Sequence, residues 1–366
     1  MNIGIVTHYD VHNHGAVLQL TALKRVLEGM GHKAQALRFD KNYDFLGHDK
    51  KAKYSIGLGS VGIYIDYLRE NGLSKTLYNF RKRKTLRAFL AKYGIIGEYY
   101  SEARDIDLTV VGSDEVFALH TGPTPIFFGY AAPSRRVISY AGSFGPTVIG
   151  DIDRLNCRGF VAGGLKGMEA LSVRDENSRA VVENLLGFSP QRVCDPVLLY
   201  GYERELNAGG NPMPGAKPYL LVYAYDARMN DPEETDAIRA YARSRGLEIV
   251  SPGFFHAWAD RNVDCDPEQL LLWFKHASGV VTDTFHGTVM SIIARTPMAV
   301  KTRDNANKIL ALLDEHGLAD RRVAGFGDLD AVFSREIDWK RVDNAVCEHR
   351  KQSMNWLKTA VDGAAR

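Results

Sequence analysis

Apolar residues fall into two rhythms along this chain. Short, nearly unbroken apolar runs bounded by turn residues recur at 3–6, 34–39, 108–111, 137–140 and 171–173, and again at 219–223, 247–250, 279–281 and 297–301. Such runs read as strands buried on both faces. Between them lie stretches with apolar residues at helical spacing. Leu20, Leu23, Val26 and Leu27 within 16–30 predict an amphipathic helix that Gly31 ends, and similar patterns mark 75–93, 176–187, 232–245, 267–276, 305–316 and 339–361. Alternating strands and helices imply parallel sheets covered by helices. The stretch 207–218, rich in Gly, Pro and Asn, interrupts the alternation and reads as a linker. The expected fold class is therefore α/β, with two doubly wound Rossmann-like domains, 1–206 and 219–338, facing across a cleft. The terminal helix within 339–366 is expected to pack back on the first domain.

Composition narrows this little. With 366 residues the chain is long for one core, and 45% apolar with 25% charged residues is ordinary for a globular enzyme. A formal net charge of +2 gives no global nucleic-acid signature. Cys157, Cys194, Cys265 and Cys347 form no CxxC pair, so neither a zinc site nor a disulfide framework is expected. The chain enters a strand at once, which leaves no room for a signal peptide, and no apolar run approaches the roughly 18–20 residues that span a bilayer. A cytoplasmic protein is expected. Charge is uneven locally: residues 50–92 hold 11 Lys/Arg against 2 Asp/Glu.

The richest stretch is Thr282-Asp283-Thr284-Phe285-His286-Gly287-Thr288, where a strand gives way to an apolar helix. Unpaired amides and the helix dipole favour an anion there. Gly287 would let a ligand approach the backbone, Thr288 would add a hydroxyl donor, and His286 carries a proton or a charge. The alternative is a plain capped turn with a hydrogen-bonded His. In the first half, Asn13 is a good N-cap and Gly15 permits close approach, or both serve only to start a helix. Ser113 and Asp114 end a buried strand and should face the cleft, with Asp114 a general acid or base, or else an N-cap. Arg174 at a strand tip suits a carboxylate or phosphate, or else a salt bridge to Asp175 or Asp195. Arg303 could reach the anion bound at His286, or lie on the surface. His8, His12, His256 and His276 weigh less, and no clustered set of metal ligands is visible.

Taken together, these pieces resemble the polysaccharide pyruvyl transferase family. The matching stretches are Asn13-x-Gly15-Ala16-x-Leu18-Gln19, Val110-Val111-Gly112-Ser113-Asp114-Glu115-Val116, Ser139-Tyr140-Ala141-Gly142-Ser143-Phe144-Gly145, Ser172-Val173-Arg174-Asp175, Asp195-Pro196-Val197-Leu198-Leu199 and 282–288, in the family's order. Residues 41–100, expected on the acceptor side, match poorly. The resemblance implies a glycosyltransferase-B type fold. It implies transfer of the pyruvyl group of phosphoenolpyruvate, as donor substrate with no further cofactor and no metal, onto two hydroxyls of one sugar. A cyclic ketal forms and phosphate leaves. The acceptor would be a surface glycan or a lipid-linked oligosaccharide. By the resemblance His286 and Arg174 contact the donor. The set expected around that donor is His286, Gly287, Thr288, Arg174, Arg303, Ser113, Ser143, Asn13 and Gly15, with Asp114 as acid or base.

The helix near 75–92 carries Arg81-Lys82-Arg83-Lys84, Arg87 and Lys92 among apolar residues. It reads as a cationic amphipathic face for peripheral contact with an anionic membrane or a lipid-linked diphosphate, or as a solvated face. The competing function is a nucleotide-sugar glycosyltransferase of the same architecture, with Asp304 or Asp314 gripping ribose. A third reading is a non-catalytic glycan- or phosphate-binding protein.

Overall fold

The computed structural model describes residues 1–40, 60–215, 217–303 and 307–363. In the first half the order is β1 (Asn2–Val6), α1 (His14–Gly29), β2 (Lys33–Arg38), α2 (Ser60–Lys92), β3 (Ile96–Tyr99), β4 (Leu108–Val111), β5 (Arg136–Gly142), α3 (Ile149–Arg154), α4 (Arg158–Lys166), β6 (Ala170–Val173), α5 (Glu176–Leu186) and β7 (Gln191–Arg192). The strands form one parallel sheet in the order β3-β2-β1-β4-β5-β6-β7. Two short helices, α6 (Pro196–Tyr200) and α7 (Glu203–Ala208), lead out of it, so the stretch read as a linker begins inside a helix.

The second half runs β8 (Tyr219–Tyr223), α8 (Pro232–Ser244), β9 (Glu248–Pro252), β10 (Arg261–Val263), α9 (Pro267–His276), β11 (Gly279–Thr282), α10 (Phe285–Ala294), β12 (Met298–Lys301), α11 (Asn307–Glu315), β13 (Arg322–Val323), α12 (Leu329–Phe333) and α13 (Trp339–Val361). Its parallel sheet has the order β10-β9-β8-β11-β12-β13. No helix among the described residues is long and apolar enough to cross a membrane.

The central strands bury both faces, which is why their runs are apolar rather than alternating. Ile3, Ile5, Val110 and Ile138 belong to one core and Val6, Val111 and Val137 to another. In the second sheet Leu221, Val280 and Val300 join the first of these cores, while Leu220, Val281 and Ala299 form a third. One apolar cluster is thus continuous across the two domains, through α1, α6 and α9. This changes the expectation for α1. It is buried almost all round from His14 to Leu23, because it is sandwiched between its own sheet and α9.

Caps written in the sequence start the helices. Asp175 accepts from the Ser178 amide for α5, Asp266 and Gln269 form a reciprocal capping box for α9, and Thr284 accepts from the Gly287 amide for α10. The last helix bridges the halves. Arg295 beside its start pairs with Asp343, and near its end Ser353 Oγ accepts from the Cys194 amide at 2.9 Å.

Candidate functional site

In each sheet the strand order reverses direction once, between β1 and β4 and between β8 and β11. Ligands in open parallel sheets bind beyond the carboxyl ends of the strands at such points. Here the two switch points face each other. His8 follows β1, Asp114 follows β4, Tyr225 follows β8, and Asp283 to His286 follow β11. All of them line one cleft of about 560 Å³, together with Asn13, Arg174, Arg228, Arg303 and Lys308.

Arg174 is the centre of the wall. Its side chain is only 2% exposed, its Nη1 donates to Asp195 Oδ2 at 2.9 Å, and its Nη2 reaches Asp114 Oδ1 at 3.4 Å. Its guanidinium lies 4.4 Å from the Phe285 ring centroid, so the second domain supplies a cation–π lid. The next residue, His286, brings its Nε2 to 3.7 Å from the same Asp195 oxygen. That is too long for a direct hydrogen bond and short enough for an ion pair when the ring is protonated. Asp195 also accepts from the Val197 amide through Oδ1 at 2.9 Å, which fixes it as the cap of α6. The salt bridge weighed for Arg174 in the sequence is therefore formed, with Asp195. Arg174 and His286 meet through this shared carboxylate.

The electrostatics follow from burial and charge. Burial raises the pKa of Asp114, but Arg174, then His286, His8 and Lys308, outweigh it and hold the carboxyl well below the usual range. Burial likewise raises Asp195, and His286 and Arg174 bring it below the ordinary value. Both are ionised at neutral pH. So placed, Asp114 is poised as a base rather than an acid. Asp283 differs: burial raises it despite Arg303, and its Oδ1 finds no hydrogen-bond partner among the described residues.

Several of the expected donor ligands have internal hydrogen-bond partners. The Ser113 hydroxyl is fully buried and donates to Ala141 O at 3.1 Å. Ser143 Oγ donates to Asp175 Oδ2 at 2.6 Å and does not line the cleft. Thr288 Oγ1 donates to Thr284 O at 3.0 Å, so it closes its own helix turn. The space beside both glycines is taken by neighbouring side chains. A Cβ on Gly287 would stand 2.2 Å from Thr282 Oγ1, and one on Gly15 would stand 2.4 Å from His286 Cγ. Gly15 is small because the His286 ring lies against α1. Asn13 accepts from the Gly15 amide at 2.8 Å and donates to the Tyr225 hydroxyl at 3.4 Å across the cleft.

Arg303 lines the cleft, yet its guanidinium is held by Asp283 and by Glu234. Lys308, which sequence reasoning passed over, pairs with Glu115 of the opposite domain. Arg228 approaches Asp283 only at 3.8 Å and is 43% exposed. His8 packs edge-on to Phe127 at the cleft wall, whereas His256 is a buried hydrogen-bonded residue beside Ser251. Also missed was His14: fully buried, it bonds Cys265 O at 2.8 Å across the domains, and burial lowers its pKa to about 4. Asp314 is exposed on α11 and away from the cleft, and Asp304 falls outside the described residues. Among the described residues no group of three or more His, Cys, Asp or Glu stands ready to hold a metal ion.

A family model described as polysaccharide pyruvyl transferase matches residues 13–305. No curated protein matches by sequence. Among solved structures, the chain resembles UDP-N-acetylglucosamine 2-epimerase from Rickettsia bellii, with 11% identity, a TM-score of 0.51, and 99% of this chain and 96% of that one covered. A UDP-GlcNAc 2-epimerase from Methanocaldococcus jannaschii gives 11% and 0.49, covering 96% and 99%. A spinosyn rhamnosyltransferase gives 13% and 0.48, covering 99% and 100%. At such identities the likeness is one of fold alone. It is the two-domain, glycosyltransferase-B type architecture expected from the sequence.

Proposed function

The chain belongs to the polysaccharide pyruvyl transferase family, and on that footing we propose that it moves the pyruvyl group of phosphoenolpyruvate onto two hydroxyls of one sugar in a surface glycan or its lipid-linked precursor. The observation that carries this reading is the convergence of Arg174, Asp114, Asp195 and His286 on one interdomain cleft in a chain of this family.

The donor carries a carboxylate and a phosphate on three carbons. The weak corner of the Arg174 network is its 3.4 Å contact with Asp114. A donor carboxylate takes that corner and turns Asp114 aside. Arg174 is then compensated by the donor, so the largest of the charges that depress the Asp114 pKa is offset and the carboxylate becomes a better base. Asp114 receives the proton of the first sugar hydroxyl as its oxygen bonds to C2. The C2=C3 pair takes a proton at C3 from His286, whose Nε2 faces Asp195 at 3.7 Å. The second hydroxyl then attacks C2. The bond from C2 to the bridging phosphate oxygen breaks, and phosphate leaves with that electron pair and the second hydroxyl's proton; the proton taken by Asp114 passes back to His286, which restores both groups for the next turnover. Lys308 and the amino end of α10 face the departing charge.

The test is release of inorganic phosphate from phosphoenolpyruvate in the presence of a glycan acceptor, set against nucleotide release from sugar nucleotides. Phosphate release that His286→Ala abolishes is expected. Nucleotide release without it would replace this reading with that of a glycosyltransferase.

A further inference from the structure

Of the large apolar side chains described as exposed, the three most exposed lie within eight residues of one helix. They are Leu73 at 80%, Phe80 at 69% and Leu77 at 51%, all on α2. The helical run that carries them begins after Gly72, whose φ of 71° breaks α2. Leu73, Leu77, Phe80, Lys84, Arg87 and Ala91 follow one another at alternating spacings of four and three, so they form a single stripe. Its amino-terminal end is apolar and its carboxyl-terminal end is basic, with Arg81 beside it. Residues 73–92 hold no acidic residue.

The opposite face of the same helix is anchored. Tyr78, Leu86, Phe89 and Leu90 are buried. Tyr78 donates to Val263 O at 2.9 Å, Lys82 to Gly253 O at 3.1 Å and Thr85 to Asp264 at 2.7 Å, so α2 from the first domain is strapped onto the second. Lys82 is thereby buried, over the Phe254 ring, and drops out of the cationic face expected from sequence, which keeps Arg81, Lys84 and Arg87 exposed. What remains outside is an apolar tip with a basic collar.

We propose that this outer stripe of α2 docks on an anionic phospholipid membrane surface. Leu73, Leu77 and Phe80 enter the headgroup–acyl boundary, and Arg81, Lys84 and Arg87 stand at the level of the lipid phosphates. Charge selects this occupant: a purely apolar partner would leave the collar unmatched, and a purely electrostatic one would leave three large apolar side chains in water. Arg87 lies 3.7 Å from Asp10, in the β1–α1 loop that also carries the cleft residue Asn13. Docking therefore sets the cleft beside the membrane. The inference does not depend on which group the cleft transfers.

Sedimentation with phosphatidylglycerol vesicles and with phosphatidylcholine vesicles tests it, using the full chain. Wild-type protein is expected to pellet with the anionic vesicles at 0.1 M salt and to be released at 1 M, where the screening length falls from about 10 Å to about 3 Å. Neutralising two collar charges in Arg81→Gln with Lys84→Gln should weaken partitioning about thirtyfold. Leu77→Ser with Phe80→Ser should remove it at any salt. Both pairs are surface changes, so unfolding midpoints within a few degrees of wild type are expected and serve as the folding control. Equal recovery with neutral vesicles, or binding that neither pair alters, overturns the proposal.

Discussion

Gly15→Ala separates two opposing effects at the point where the domains meet. Gly15 lies in the first turn of α1, and alanine is worth up to about 1 kcal/mol more than glycine in a helix. Its added Cβ would fall 2.4 Å from His286 Cγ and 2.5 Å from Nδ1. Carbon atoms rest at about 3.5–4.0 Å, so the ring must retreat by roughly 1 Å. The ring has little freedom, with Asp195 and Phe285 beside it. Overpacking of this kind costs about 1–3 kcal/mol, so the tertiary clash wins over helix propensity. The net expectation is a loss of about 0–2 kcal/mol in urea unfolding. Turnover suffers more, because a shift of about 1 Å in a reacting group costs about a hundredfold. The assays are urea unfolding and phosphate release from phosphoenolpyruvate. A Gly15→Ala protein that is more stable by about 1 kcal/mol and turns over normally would refute the contact on which the reasoning rests.

Three further outcomes follow from the same contacts. Asp195→Asn keeps the cap on the Val197 amide but leaves the buried Arg174 charge poorly compensated, so stability at pH 7 should drop by about 3–5 kcal/mol; a loss below about 1 kcal/mol in denaturant unfolding would count against the network. The lowered pKa of Asp195 means that its contribution is present above the ordinary carboxylate range and is withdrawn as pH falls through it, so the variant should lose that part of the acid sensitivity. His14 titrates at about 4 in the folded protein against 6.5 unfolded, so its stabilisation is complete above 6.5 and declines as pH falls toward 4. The decline is on the order of 3 kcal/mol, and thermal unfolding of His14→Gln should show a flatter profile between pH 7 and 5. Glu115→Gln should free Lys308 and tighten donor binding, while Lys308→Met should weaken it about tenfold; titration calorimetry with phosphoenolpyruvate reads both.

The alternation of strands and helices was legible because strands buried on both faces and capped helices write themselves in composition and spacing. The edge strands β3, β7, β10 and β13 were not, since Gln191-Arg192, Arg261-Asn262-Val263 and Arg322-Val323 are too short and polar to stand out from loop. Arg174, Asp114 and His286 could be picked out because strand ends in such sheets face the cleft. The satisfaction of side chains could not be read. Whether Ser113, Ser143 and Thr288 offer their hydroxyls to a ligand or to a neighbouring acceptor depends on what lies across the fold. Asp195 stood in a recognised motif and was weighed as a partner of Arg174, yet a cap ahead of a proline gave no sign that it would also reach His286. Glycine is ambiguous for the same reason: Gly15 admits a side chain from 271 residues away in sequence, not a ligand.

The claim at the centre is that the cleft between the switch points receives phosphoenolpyruvate beside Arg174 and His286. Titration calorimetry with phosphoenolpyruvate, on the wild type and on His286→Ala and Arg174→Lys, tests it without knowledge of the acceptor. One site per chain, weakened about tenfold or more in each variant, is the predicted result. A wild-type protein that binds a nucleotide sugar and gives no heat with phosphoenolpyruvate would contradict it.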